Sequence, residues 1–121
     1  ENYPVLTDPE NQAAPLALRA RAYLETNCAQ CHQPGGPTPI NMDLRAATAL
    51  AQTNTVNVDG TGTAVGGATL RIAPGSAQTS LIWTRMNAAE ETVRMPPIAT
   101  HVIDANGLAL IGDWINAMEN P

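Results

Sequence analysis

Apolar residues recur at helical spacing in three main stretches of the chain. Leu16, Ala17, Ala20, Tyr23 and Leu24, with Asn27 in register, form the first, and Pro15 suits an opening turn. A helix is expected there, delivering Cys28 at its C-terminal end. A second is expected from about Ala77 to Asn87, after the turn Ala73-Pro74-Gly75-Ser76, with Leu81, Ile82 and Arg85 on successive turns. The third spans about Ala105 to Met118, capped by Asp104, with Leu108, Ile111, Ile115 and Met118 as one apolar stripe and Trp114 beside it. Gly107 and Gly112 weaken that helix and are expected to serve close contact with the first one.

Between these stretches the pattern changes. Asn41 or Asp43 is a candidate cap for a short helix through Leu44, Ala47 and Leu50. Thr53 to Leu70 is polar and β-like: Thr55-Val56-Asn57-Val58 followed by Asp59-Gly60 predicts a loop or a short β-hairpin at about 53–70. Gln33 to Pro39 and Arg94 to Ile98 break all periodicity. Residues 1–14, with Pro4 and Pro9, read as an extended lead or linker ahead of one all-α domain over 15–121.

Composition narrows the function classes. The formal net charge is -5, and all 6 cations are Arg. That balance argues against nucleic acid as a partner, and a partner steered by charge would have to present a positively charged docking face. No apolar run is long enough to cross a bilayer. The chain begins with Glu1 and shows no signal peptide, so it is read as a mature or excised piece. Aromatics are only 3% against 44% hydrophobic residues, and a large flat cofactor would supply the missing bulk.

The chemistry is concentrated in Cys28-Ala29-Gln30-Cys31-His32. C-x-x-C-H reads as a c-type haem attachment site. Two thiols three positions apart can each form a thioether to a haem vinyl group, and the adjacent imidazole is carried to the iron. Such attachment is made outside the bacterial cytoplasm, so a periplasmic or otherwise exported location is expected. Three other readings compete. A thioredoxin-like dithiol wants a preceding strand, and none is predicted. A zinc site needs two further ligands, and His101 is the only Cys or His left. The third is a plain structural disulfide, and the specificity of the five-residue pattern, which uses both cysteines, favours the haem over all three.

An iron ligated by His32 has a sixth position. Met95 is the candidate, because Pro96 and Pro97 stiffen its loop and bias it to an extended conformation. Met86 and Met118 fall on helical stripes, Met42 is close to the His32 loop, and His101 is the main rival. His/Met ligation raises the reduction potential, whereas bis-His ligation lowers it. Arg71, Arg85, Arg94 and the Trp83 indole are candidate partners for the haem propionates, by type and by proximity to loops.

Cys28 to His32 near the N-terminus, Met95 in a Met-Pro-Pro loop and a closing helix with Trp114 resemble a class I cytochrome c. The likeness covers about Pro15 to Met118. It implies a small α-helical cytochrome c fold whose first and last helices cross near one covalent haem. It also implies attachment at Cys28 and Cys31, His32 as proximal ligand and Met95 as distal ligand. Asn27 to Gly36 and Arg94 to Pro97 are similar, more narrowly, to haem domains appended to larger exported bacterial redox proteins. A redox protein or a fused redox domain is then the implied partner. Two features depart from the common soluble members: Lys is absent, and Thr53 to Leu70 is extra.

The expected function is one-electron transfer on a haem with both axial sites filled, with no catalysis by the chain itself. The alternative is a haem enzyme or gas-binding domain, peroxidase-like, with a displaceable sixth ligand. Its acid–base groups would be His101 and Glu90 or Glu91. A haem serving only as a folding core is the third reading.

Overall fold

A computed structural model describes residues 6–37, 40–60, 65, 67–88, 95 and 104–119. Arg94, His101, Glu90, Glu91 and the two prolines after Met95, Pro96 and Pro97, lie outside them. The described residues form a mostly helical small protein with three α-helices and no sheet: α1 (Leu16–Asn27), α2 (Leu81–Met86) and α3 (Ala105–Ala117). Two compact units are distinguished, Glu1–Asn54 and Thr55–Pro121. Among the described residues no helix is long and apolar enough to cross a membrane.

In the first unit α1 starts after Pro15, whose carbonyl accepts from the Arg19 amide at 3.1 Å. Ala20, Ala22 and Leu24 are its buried residues, while Ala17 and Leu18 are exposed. Ala20 and Ala22 lie on opposite sides of the helix, so burial is not confined to one stripe, and small side chains suit that. The lead is not extended where it is described. Asp8 and Asn11 accept from the amides of Glu10 and Ala13, closing two consecutive turns. Arg19 Nε then ties the lead to α1 through the Pro9 carbonyl at 2.9 Å.

The short helix expected after Asp43 does not form. Only a turn at Arg45–Thr48 and a 3-10 turn at Leu50–Gln52 are present. The cause is competition for the backbone. Arg21 of α1 donates to the carbonyls of Arg45 and Thr48, and Glu25 of α1 accepts from the Ala46 amide. Groups that would have built a helix are used by α1 instead.

The second unit is built on α2 and α3, which pack together. Asp104 caps α3 as predicted, its side chain accepting from the Gly107 amide at 3.0 Å. Gly107, Leu110, Ile111, Gly112, Trp114 and Ile115 are buried, so Ile111 and Ile115 of the expected stripe are in the core with Trp114 beside them. Leu108 and Met118 are only half-buried. The close neighbour of Gly112 is the indole of Trp83, which a Cβ would meet at 2.8 Å.

The helix expected over 77–87 is broken in two. A 3-10 turn covers Ala77–Thr79, Ser80 is extended, and α2 begins at Leu81. Ser80 is fully buried; its hydroxyl accepts from the Ala73 amide at 2.7 Å and donates to the Ser76 carbonyl at 2.8 Å. The first amides of α2, at Leu81 and Ile82, donate to the carbonyls of Leu70 and Arg71. Bridging to 70–72 thus wins over helix continuity.

Where a loop or short hairpin is expected at 53–70, the described residues form isolated bridges and no named strands: Val56 with Ile72, Asp59 with Leu70, and Val65 with Ala68. Asn54 and Asn57 sit at positive φ, which interrupts any extended run. The reversal is not at Asp59-Gly60. Val65 and Ala68 exchange both backbone hydrogen bonds, with Gly67 at φ 86° between them.

Candidate functional site

Cys28 is the C-cap of α1, its amide donating to the Leu24 carbonyl at 2.8 Å. The Cys28 carbonyl then accepts from two amides at once, Cys31 at 3.2 Å and His32 at 3.0 Å. One further helical turn is thereby closed. Positions i, i+3 and i+4 of a turn are neighbours on one side of it, so Cys28, Cys31 and His32 share a side. Ala29, between them, is buried, and Gln30 is exposed.

The two cysteines are free thiols, Cys28 half-buried and Cys31 exposed. Burial, and secondarily the neighbouring Cys31, push the Cys28 thiol up to about 11. A nucleophilic redox dithiol needs the opposite shift. Among the described residues no three His, Cys, Asp or Glu side chains come together as a metal cluster.

After His32 the chain doubles back. The Gly36 amide donates to the Gln33 carbonyl at 2.9 Å, with Gly35 at φ 79°. A Cβ on Gly36 would run into the Cys31 carbonyl oxygen and stand 3.0 Å from that of Gln33. His32 is half-buried, and its carbonyl accepts from the Leu44 amide at 2.8 Å.

Next to Leu44 lies a polar cluster that sequence reasoning missed. The buried Asp43 carboxylate accepts from the Arg45 amide, Nε and Nη2, and from the Thr48 hydroxyl at 2.7 Å. Hydrogen bonds from Arg45 lead in holding Asp43 well below the usual carboxylate range, against the opposing effect of burial. Burial pulls Arg21 down, while Asp43 and Glu25 oppose that. The available signal was Arg21 and Glu25 at i, i+4, two opposite charges on one face of a helix rich in Ala and Leu.

A pH dependence follows. Because the folded pKa of Asp43 is depressed, its contribution to stability is complete above the unfolded value of about 4 and fades as pH falls below it. Wild type is expected to exceed Asp43→Asn in stability near neutrality, with the gap narrowing in acid. Denaturant midpoints across a pH series check this, and a constant gap contradicts it.

The remaining candidates lie in the second unit. The Met95 amide donates to the Arg85 carbonyl at 3.0 Å, placing Met95 beside the last turn of α2. Met95 is 36% exposed. Arg85 is half-buried on that last turn. Arg71 is buried, its carbonyl accepting from Ile82 at the first turn of α2, and burial lowers its pKa while Asp59 opposes this. With 6 residues, α2 is about 9 Å long, so Arg71 and Met95 mark its two ends. The Trp83 indole N–H donates to the Leu108 carbonyl at 3.1 Å. An indole has one such hydrogen, so Trp83 holds α2 on α3. Arg94 lies outside the described residues.

No family model, curated protein or solved structure matches the chain.

Proposed function

We propose that this chain is an exported electron-transfer protein or domain of the class I cytochrome c type, carrying one covalent haem. The observation that carries the reading is the turn in which one carbonyl, that of Cys28, gathers the amides of Cys31 and His32. It presents two free thiols and an imidazole on one side of a short segment, the donor set that thioether attachment requires. In that attachment a thiol adds to a vinyl group as S–H: sulfur bonds one vinyl carbon and hydrogen the other. His32 is the proposed proximal ligand and Met95 the distal one, in a cytochrome c fold with crossed terminal helices.

When bound, the haem supplies the one-electron couple between ferrous and ferric iron. The chain's own part is to hold ligands still. The Arg85 carbonyl anchors the Met95 backbone, and Leu44 anchors that of His32, so little rearrangement accompanies a change of charge. Arg85 and Arg71, and Arg94 by its type, remain candidates for the propionates. A net charge of -5 suits a redox partner or fused redox domain with a positive docking face, and a periplasmic setting follows from the attachment chemistry.

The exposure of Met95 is the one observation favouring the alternative, a haem enzyme or gas-binding domain with a displaceable sixth ligand. One experiment decides between them. The protein is produced in the periplasm of a bacterium that makes c-type cytochromes and is then extracted with acid acetone. Pigment that stays with the polypeptide is expected, and pigment that washes out, or is absent, sinks the proposal. Reduced protein that ignores carbon monoxide is a carrier, whereas rapid uptake supports the alternative.

A further inference from the structure

We infer that Asp43 is a positioning residue for His32, acting through a hydrogen-bonded strap that ties both ends of the C-x-x-C-H turn to the same helix. The inference rests on the proposed ligation by His32.

The links form a closed circuit, all within residues 6–54. At one end the turn is joined to α1 directly, Cys28 amide to Leu24 carbonyl at 2.8 Å. At the other end the His32 carbonyl receives the Leu44 amide, also at 2.8 Å. Leu44 is 3% exposed, so water does not compete for that bond. Its neighbour Asp43 is fixed twice: its amide donates to Thr53, and its carboxylate gathers Arg45 and Thr48. Segment 45–48 is in turn fastened to α1, by Arg21 on two carbonyls and by Glu25 on the Ala46 amide at 2.9 Å. Helix, turn, strap and helix again make a ring with Asp43 at its centre.

Such a ring has a purpose at a ligand. His32 is followed by Gln33-Pro34-Gly35-Gly36-Pro37, a segment with a local turn bond from the Gly36 amide to the Gln33 carbonyl. The strap fixes the His32 main chain from the side away from α1. Groups that restrain a ligating imidazole from outside the coordination sphere set its orientation and reduce the entropy lost on ligation. In this scheme Asp43 acts through Leu44. The carboxylate is suited to the role because four donors converge on its two oxygens.

The test uses Asp43→Asn in the pigmented protein, with Thr48→Val as a milder second variant that removes one donor and keeps the side chain's shape. Exchange of the Leu44 amide is expected to quicken about tenfold, the equivalent of roughly one lost hydrogen bond. The Cys28 amide, held by α1 alone, is expected to keep its protection. The paramagnetically shifted ring protons of His32 should move in the same variants. Leu44 and Cys28 accelerating together, no acceleration at Leu44, or unmoved His32 signals each overturn the inference while leaving the proposed function standing. A wild-type protein without covalent pigment overturns the ligation reading first, and this one with it.

Discussion

Met95→Ala is expected to abolish the sulfur-to-iron absorption band of the oxidised protein and to let the reduced protein take up carbon monoxide. The thioether is a soft ligand that favours the ferrous state, so its loss should also lower the potential. The expected fall is on the order of a hundred millivolts or more, within the ~0.8 V range that axial ligands control. Covalent attachment should be unaffected, because Cys28 and Cys31 belong to a different segment from Met95. Near-infrared spectra and a redox titration of the purified variant measure both effects. A sulfur band that survives the substitution transfers the role to another methionine. The fold is not put at risk, since Met95 is 36% exposed and its anchor to Arg85 is made by the backbone, which alanine retains.

Gly36→Ala should be the most damaging single-carbon change near the thiols. The new Cβ would collide with the Cys31 carbonyl oxygen and press on that of Gln33 at 3.0 Å. Both obstacles are backbone, so neither can swing aside as a side-chain tip would. The segment bearing Cys31 and His32 has to shift. A loss of about 1–3 kcal/mol is expected, as for other forced overpacking. Less pigment should be attached per chain. Gly35→Ala separates this clash from ordinary glycine strain. Gly35 has φ 79° with open space around it, so alanine there costs only about 1–2 kcal/mol of left-handed backbone and should leave attachment intact. Urea denaturation and pigment-to-protein ratios for the two variants decide the matter. Equal attachment in both would mean that the Gly36 collision is absorbed without moving Cys31.

The sequence was most legible where a local signal and tertiary need agree. Pro15 before an apolar-periodic run and Asp104 three residues before Gly107 mark helix starts found within a residue of where expected. The signal failed where other chain segments outbid local preference. Leu44 to Leu50 has helical spacing, but Arg21 and Glu25 take its backbone groups. Ala77 to Asn87 reads as one helix, yet Ser80 is pinned by Ala73 and Ser76, and Leu70 and Arg71 draw off the next amides. Val56 and Val58 look strand-like, but neighbouring asparagines at positive φ turn the chain away. At the site, the five-residue motif was plain because its chemistry is local. The Asp43 cluster was not, because its members come from positions 21 to 48 and none carries a motif of its own.

The brevity of α2 sets how the Met95 anchor can fail. Six residues are far too few for a helix to persist alone in water. It exists because Leu70 and Arg71 take its leading amides and α3 supports its flank, and the Arg85 carbonyl in its last turn is what Met95 holds on to. Unwinding of this segment and release of the methionine backbone are therefore a single cooperative event. Heat or denaturant should bleach the sulfur signal in step with the loss of helix, with no separate earlier phase.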